Sequence, residues 1–145
     1  IGYNPVDVPI IRYADVLLSL AEAVNEQGRW QEAVSYVNRV RNRAGVALLN
    51  APGNANTKVS GVEEMRVRIR NEKKWELACE EQLYFEELRW GTWKTDKFVA
   101  KNGLQNVWGA PVYTYIWGGD AYLKWAIPQS EVEKNTNIKQ NEGWN

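Results

Sequence analysis

At 145 residues, 44% hydrophobic and 25% charged, the chain has the size and composition of one folded domain with a real core, which excludes disorder throughout. Its 18 basic and 18 acidic residues cancel, leaving no electrostatic footprint for nucleic acid or for an anionic membrane surface. Eight tryptophans and seven tyrosines exceed what a core needs, and the absence of histidine removes the commonest general base and zinc ligand.

The first ten residues, IGYNPVDVPI, read as an extended lead-in, with Pro9 suited to the first turn of a helix. Tyr13, Leu17, Leu20, Ala21 and Val24 then recur at helical spacing and predict one apolar stripe, which Gly28 ends as a cap. The longest apolar run, Val16 to Leu20, is far below the roughly 20 residues that span a bilayer. A second helix follows at once, with Trp30, Ala33, Val34, Val37, Val40 and Ala44 on its apolar face and Gly45 as its stop. So short a connection predicts an antiparallel helical hairpin, with Ala21 and Ala33 allowing close approach.

Residues 50 to 60 are a loop by composition. Ser60 with Glu63 has the pattern of a capping box opening a third helix from Val62 to Trp90, stopped by Gly91. Val62, Met65, Ile69, Leu77, Tyr84 and Leu88 are its apolar points, and intervening charges predict a kink or break near Lys73. From Thr92 to Trp125 periodicity vanishes. Glycines 103, 109, 118 and 119 and Pro111 punctuate a run holding Trp93, Trp108, Tyr113, Tyr115, Trp117, Tyr122 and Trp125, with VYTYIW at 112–117 suggesting a short strand. A run of this length without regular structure is usually functional or packed on something larger. The last segment predicts one helical turn capped by Ser130, then an extended polar tail. Cys79, the single cysteine, lies in a helical stretch with no internal partner. Lacking an initiator Met, a signal peptide and a lipid-attachment cysteine, the chain reads as a fragment or processed product, with any targeting segment upstream.

Three separated segments carry a resemblance. PIIRYADVLLSLAEAVNEQG (9–28) leads into EAVSYVNRVRNRAG (32–45). IRNEKKWELACEEQLYFEELRWG (69–91) is an acid-rich helix closing on Arg-Trp-Gly. AIPQSEVEKNTNIKQNEGW (126–144) resembles a closing signature of the form IPQSE…N…QNPGY. In order and spacing these resemble the SusD/RagB family of outer-membrane nutrient-binding lipoproteins, specifically its carboxy-terminal region. The departures are Glu81 and Leu83 where that family has Gly and Arg, Glu86 for Asp, and Glu142 and Trp144 for Pro and Tyr. The first hairpin also resembles a tetratricopeptide repeat, with Ala21, Gly28 and Ala33 at its small-residue positions. One repeat cannot bury both its faces alone, which fits the rear portion of a larger protein.

The expected fold is mainly α: a tetratricopeptide-like hairpin (10–45), a long acid-rich helix (60–91) and an aromatic, loop-rich carboxy-terminal cap (92–145). Glu72, Glu76 and Glu80 fall at i, i+4 and i+8 on one helix face. Helical di-metal sites normally add His, so a salt-bridged row is favoured, with Arg12, Arg41, Arg43 and Arg89 as partners. No metal site and no cofactor is expected. Loop carboxylates Asp96, Asp120, Glu131 and Glu133 would suit a glycosidase pair only if one were desolvated, and no context does that. Ser19, Ser35, Ser60 and Ser130 lack an activating His, and no nucleophile-elbow, Walker or dinucleotide glycine pattern occurs. No catalysis is expected.

The sharper reading concerns the aromatic run. The apolar C–H face of a pyranose stacks on indole and phenol rings while its hydroxyls pair with amides and carboxylates. Trp93, Trp108, Tyr113, Tyr115 and Trp117 interleave with Asn102, Gln105, Asn106 and Asp120, the right mixture, whereas Trp90 and Trp125 are expected in the core. The competing reading is that most of these rings pack the loop onto the helical body. The resemblance implies a protein lipid-anchored to the outer membrane through an upstream segment. It also implies three partners: an oligosaccharide or polysaccharide, a TonB-dependent transporter, and the amino-terminal portion of the same protein. The alternative is a protein-interaction module that docks the transporter without touching glycan.

Overall fold

The computed structural model describes residues 10–95 and 118–144, and the chain forms two compact units, Ile1–Leu83 and Tyr84–Asn145. Pro9 and the possible strand at 112–117 lie outside the described residues, as does the side chain of Tyr122.

The first unit is three helices. Helices α1 (Tyr13–Glu26) and α2 (Trp30–Arg43) form the expected hairpin, and α3 (Val62–Glu76) packs on both. Leu17, Leu18, Ala21 and Val24 of α1 meet Ala33, Val37 and Val40 of α2 and Met65 and Ile69 of α3. Leu49 and Val59 of the intervening loop close the core. Ala21 and Ala33 are fully buried, and without longer side chains between them the two helices approach closely. Both predicted stops hold. Gly28 and Arg29 donate to the carbonyls of Asn25 and Val24, and Gly45 and Val46 to those of Asn42 and Arg41, the paired bonds that close a helix end.

The inward stripe of α1 is rotated from the expected one. Tyr13 and Leu20 are 64% and 41% exposed, and Leu18 and Asn25 are buried in their stead. The face runs through 17, 18, 21, 24 and 25, because α3 covers the side that Leu18 and Asn25 share; Asn25 donates to the Val62 carbonyl at 3.1 Å. Ala44, past the end of α2, is exposed too.

The capping box is shifted by one residue. Gly61 occupies the cap position with no side-chain bond, and Glu64, not Glu63, reaches back to accept from the Ser60 amide (2.7 Å) and hydroxyl (2.8 Å). Those two bonds hold the Glu64 carboxyl below its ordinary pKa. Glu63 pairs instead with Arg66.

The single third helix is two helices. Helix α3 ends at Glu76 and α4 (Gln82–Arg89) restarts after a corner at which Cys79 takes φ +65°. The break falls four residues beyond Lys73, because Lys73 is itself part of the core. Its side chain is fully buried under α1, where Ser19 Oγ lies 3.0 Å away, Asp15 3.6 Å and Glu22 3.8 Å. Spaced i, i+4 and i+7, those three line the α1 face above the ammonium.

In the second unit α4 is followed by a 3-10 turn (Asp120–Leu123) and helix α5 (Gln129–Lys134). Helix α5 starts one residue before Ser130. Pro128 holds the cap position and its carbonyl accepts from the amides of Glu131 and Val132, so Ser130 sits inside the first turn. No strand occurs among the described residues, and no described helix is long and apolar enough to cross a membrane.

Candidate functional site

The predicted row of acids is a structural clamp. Arg12, which caps the start of α1, donates to Glu80 (3.0 and 2.7 Å), to the Glu76 carboxylate (2.8 Å) and to the Glu76 main-chain oxygen (2.8 Å). Arg43 also donates to Glu76, and Arg41 to Glu72. Bonds from Glu80 and then Glu76 raise the Arg12 pKa further above its ordinary value. Glu72 differs: burial pushes its carboxyl up, and Arg41 only partly offsets this. Arg89 pairs with Glu86 on its own helix. Among the described residues no group of three or more His, Cys, Asp or Glu is placed to hold a metal ion.

A cavity of about 380 Å³ opens between α1 and α2 beside Tyr13. Its arginines are committed: Arg12 and Arg43 to acids, Arg39 to the Tyr13 hydroxyl (2.8 Å) and ring face. An uncharged sugar would have to displace these contacts.

A smaller cavity, about 240 Å³, lies in the second unit. Helix α4 ends in Trp90 and Gly91, where Gly91 takes φ +69° and its amide bonds the Leu88 carbonyl at 3.0 Å. The Thr92 amide then bonds the Glu87 carbonyl at 2.9 Å, turning the chain sharply and throwing Trp93 to the cavity wall. Asp120, from the 3-10 turn, faces the same space and pairs with Lys94 Nζ at 3.2 Å. Leu88 and Leu123 supply apolar wall, and Glu87, 2% exposed, lies beneath. The Trp93 ring meets Tyr84 edge-on (5.6 Å, 85°), and Tyr84 meets Phe85 (5.3 Å, 68°), so three aromatics form a ladder ending at exposed Phe85. An indole wall, an ammonium donor and a carboxylate acceptor thus border one space, which is below the roughly 300–1,000 Å³ of drug-sized sites.

Two of the six predicted site residues, Trp93 and Asp120, thus come together from 27 positions apart in sequence. Trp108, Tyr113, Tyr115 and Trp117 lie outside the described residues, as do Asn102, Gln105, Asn106 and Asp96. Sequence reasoning missed Lys94, Tyr84 and Phe85; the adjacent Tyr-Phe pair one helix before Arg-Trp-Gly was the available signal. Trp90 is half-buried under the Arg89 guanidinium, 5.8 Å from the ring. Trp125, expected in the core, is 83% exposed. Its carbonyl is held by Asn141 (2.6 Å) in an extended stretch that turns the ring outward. The remaining loop acids make local contacts: Glu131 with Lys134 (3.7 Å), Glu133 with Gln129 (3.1 Å).

The family model described as the SusD family matches residues 1–144. The chain belongs to the SusD family. It is 31% identical over 144 residues to the starch-binding protein SusD of Bacteroides thetaiotaomicron, covering 98% of this chain and 22% of that one. It is 34% identical over 135 residues to SusD-like protein P2 of Formosa agariphila, covering 90% and 24%. A crystal structure of a SusD-like protein from Bacteroides fragilis superposes with a TM-score of 0.70 at 27% identity, over 93% of this chain and 25% of that one. The chain therefore spans about a quarter of the length of these relatives. The mainly helical, tetratricopeptide-like fold is the family's, and the SusD family is one of nutrient-binding proteins.

Proposed function

We propose that this chain belongs to a non-catalytic, glycan-capturing protein of the outer membrane, and that its second unit contacts one sugar ring of the ligand. The observation that carries this is the joint presence of Trp93, Lys94 and Asp120 around one small cavity. Stacking on the indole, with hydroxyls bridging the ammonium and the carboxylate, is a binding chemistry with no nucleophile in it. Starch is the first ligand to test, because the relative from Bacteroides thetaiotaomicron is named for binding it. Lipid anchoring through an upstream segment and partnership with a TonB-dependent transporter complete the proposal by family likeness. Trp108, Tyr113, Tyr115 and Trp117 are proposed to extend the same aromatic surface.

Affinity electrophoresis in gels cast with soluble starch, xylan and laminarin tests the reading. Retardation in one gel, abolished by Trp93→Ala and without release of reducing sugar, is expected. Reducing-sugar release abolished by a single Asp or Glu substitution would establish an enzyme instead.

A second reading is favoured by the outer face of α1, where Tyr13, Val16 and Leu20 are 64%, 48% and 41% exposed. A row of this spacing suits a packed polypeptide neighbour, so the chain would act as a docking module. Retained association with the transporter, without retardation by any glycan, would favour it.

A further inference from the structure

Residues 140–144 sit 13 or more positions from the segment they bind, and hold it with side-chain hydrogen bonds to its main chain. The Gln140 amide pairs with both main-chain groups of Ile127, accepting from its N–H (2.8 Å) and donating to its carbonyl (2.8 Å), as a neighbouring strand would. Gln140 Oε1 also accepts from the Asn141 amide at 2.9 Å, fixing the direction of the pair. Asn141 Nδ2 donates to the Trp125 carbonyl at 2.6 Å. Trp144 Nε1 donates to two carbonyls, Ala121 (3.0 Å) and Lys124 (2.8 Å), at opposite ends of the 3-10 turn. Between them Gly143, at φ +87°, passes so close to Ala121 that an added Cβ would lie 2.5 Å from the Ala121 Cβ. No flexible side-chain end stands there to give way.

The turn gripped by Trp144 is the one that carries Asp120 and Leu123 to the cavity. A short 3-10 turn has poorer internal hydrogen bonding than an α-helix, so outside contacts help to hold its shape. We propose that Gln140, Asn141, Gly143 and Trp144 act together as a clasp that positions the Asp120–Leu123 turn against Lys94, making the closing segment a positioning element of the sugar cavity rather than a tail. The claim about the cavity rests on the saccharide reading above; the claim about the turn does not. Trp144 serves this role through its N–H; a tyrosine at this position would offer a ring-borne O–H in its place.

The test compares Trp144→Phe, which keeps an aromatic ring but removes the donor, with Trp144→Tyr, which has a ring of the same size as Phe and restores a donor. Two readouts are used: amide hydrogen exchange and retardation in the three polysaccharide gels. Trp144→Phe is expected to speed exchange in residues 120–127 by roughly tenfold, with α1 to α3 unchanged, and to weaken retardation severalfold. Trp144→Tyr is expected to recover most of both. Gly143→Ala is expected to reproduce the loss by collision with Ala121. Unchanged exchange at 120–127 in Trp144→Phe overturns the clasp, and so does a Trp144→Tyr variant no better than Trp144→Phe. Faster exchange with full retardation overturns the positioning role. Failure of the unaltered chain to be retarded in any gel removes the saccharide reading, while exchange still decides whether the clasp holds the turn.

Discussion

Arg12 grips Glu76 twice, once at its carboxylate and once at its main-chain oxygen, each at 2.8 Å. The guanidinium therefore neutralises a side chain and also satisfies a carbonyl in the last turn of α3, a group left without a helical partner. Arg12→Ala should cost about 1.5–3 kcal/mol, the range for hydrogen bonds to charged groups, read as a lower urea midpoint with unchanged slope. Arg12→Lys should recover little, since an ammonium cannot span three acceptors in a planar fork. Neither change should alter polysaccharide retardation.

Lys73 is fully buried although it carries a charge. Lys73→Met keeps most of the volume but leaves Asp15 and Glu22 without their shared ammonium at the core boundary. A loss of about 3–5 kcal/mol at neutral pH is expected, as for breaking a buried ion pair. Urea denaturation at pH 7 checks it.

Opposite pKa shifts make Glu26 and Glu72 opposite in their pH dependence. The Arg66 bond lowers the Glu26 pKa, so its contribution is complete above the ordinary value of 4.5 and is lost as pH falls through the lowered one. Burial raises the Glu72 pKa, so its contribution is present below 4.5 and is lost as pH rises through the raised value. Glu26→Gln should thus be less stable than the unaltered chain at pH 7 and indistinguishable from it in strong acid. Glu72→Gln should show its smallest relative cost at neutral pH. Stability curves from pH 2 to 7 separate the two.

Trp93→Ala should weaken saccharide binding about tenfold, on the order of 1.4 kcal/mol, because it removes the indole wall that the described residues give the cavity. Trp125→Ala, by contrast, should change stability by no more than about 0.5 kcal/mol, as expected of an exposed ring. Thermal unfolding and gel retardation of the pair distinguish wall from surface.

The hairpin, its glycine stops and the salt-bridged acid row were legible because each is written in local spacing: 3.6-residue periodicity, a glycine after it, acids four apart. The rotated face of α1 was not, since 17, 20, 21, 24 and 17, 18, 21, 25 are equally good stripes until α3 chooses between them. The shift from Glu63 to Glu64 came from Gly61, which holds the cap position without a capping oxygen, so that Ser60 lies one residue before the cap. Trp93 and Asp120 were legible as residue types. Their meeting was not, because it depends on the bonds from Trp144 and its neighbours to a distant stretch of backbone. Lys73 misled for a related reason: a lysine among charges looks like a weak point, and only the polar face of α1 shows otherwise.

At the corner between α3 and α4, Cys79 is exposed and holds φ +65°, a backbone shape that side chains other than glycine rarely adopt. As the only thiol in the chain it is a ready-made attachment point for one dye or spin label, with no other cysteine to remove. A label there would sit where the backbone is already under tension, so its mobility would report on that joint as urea loosens the helices.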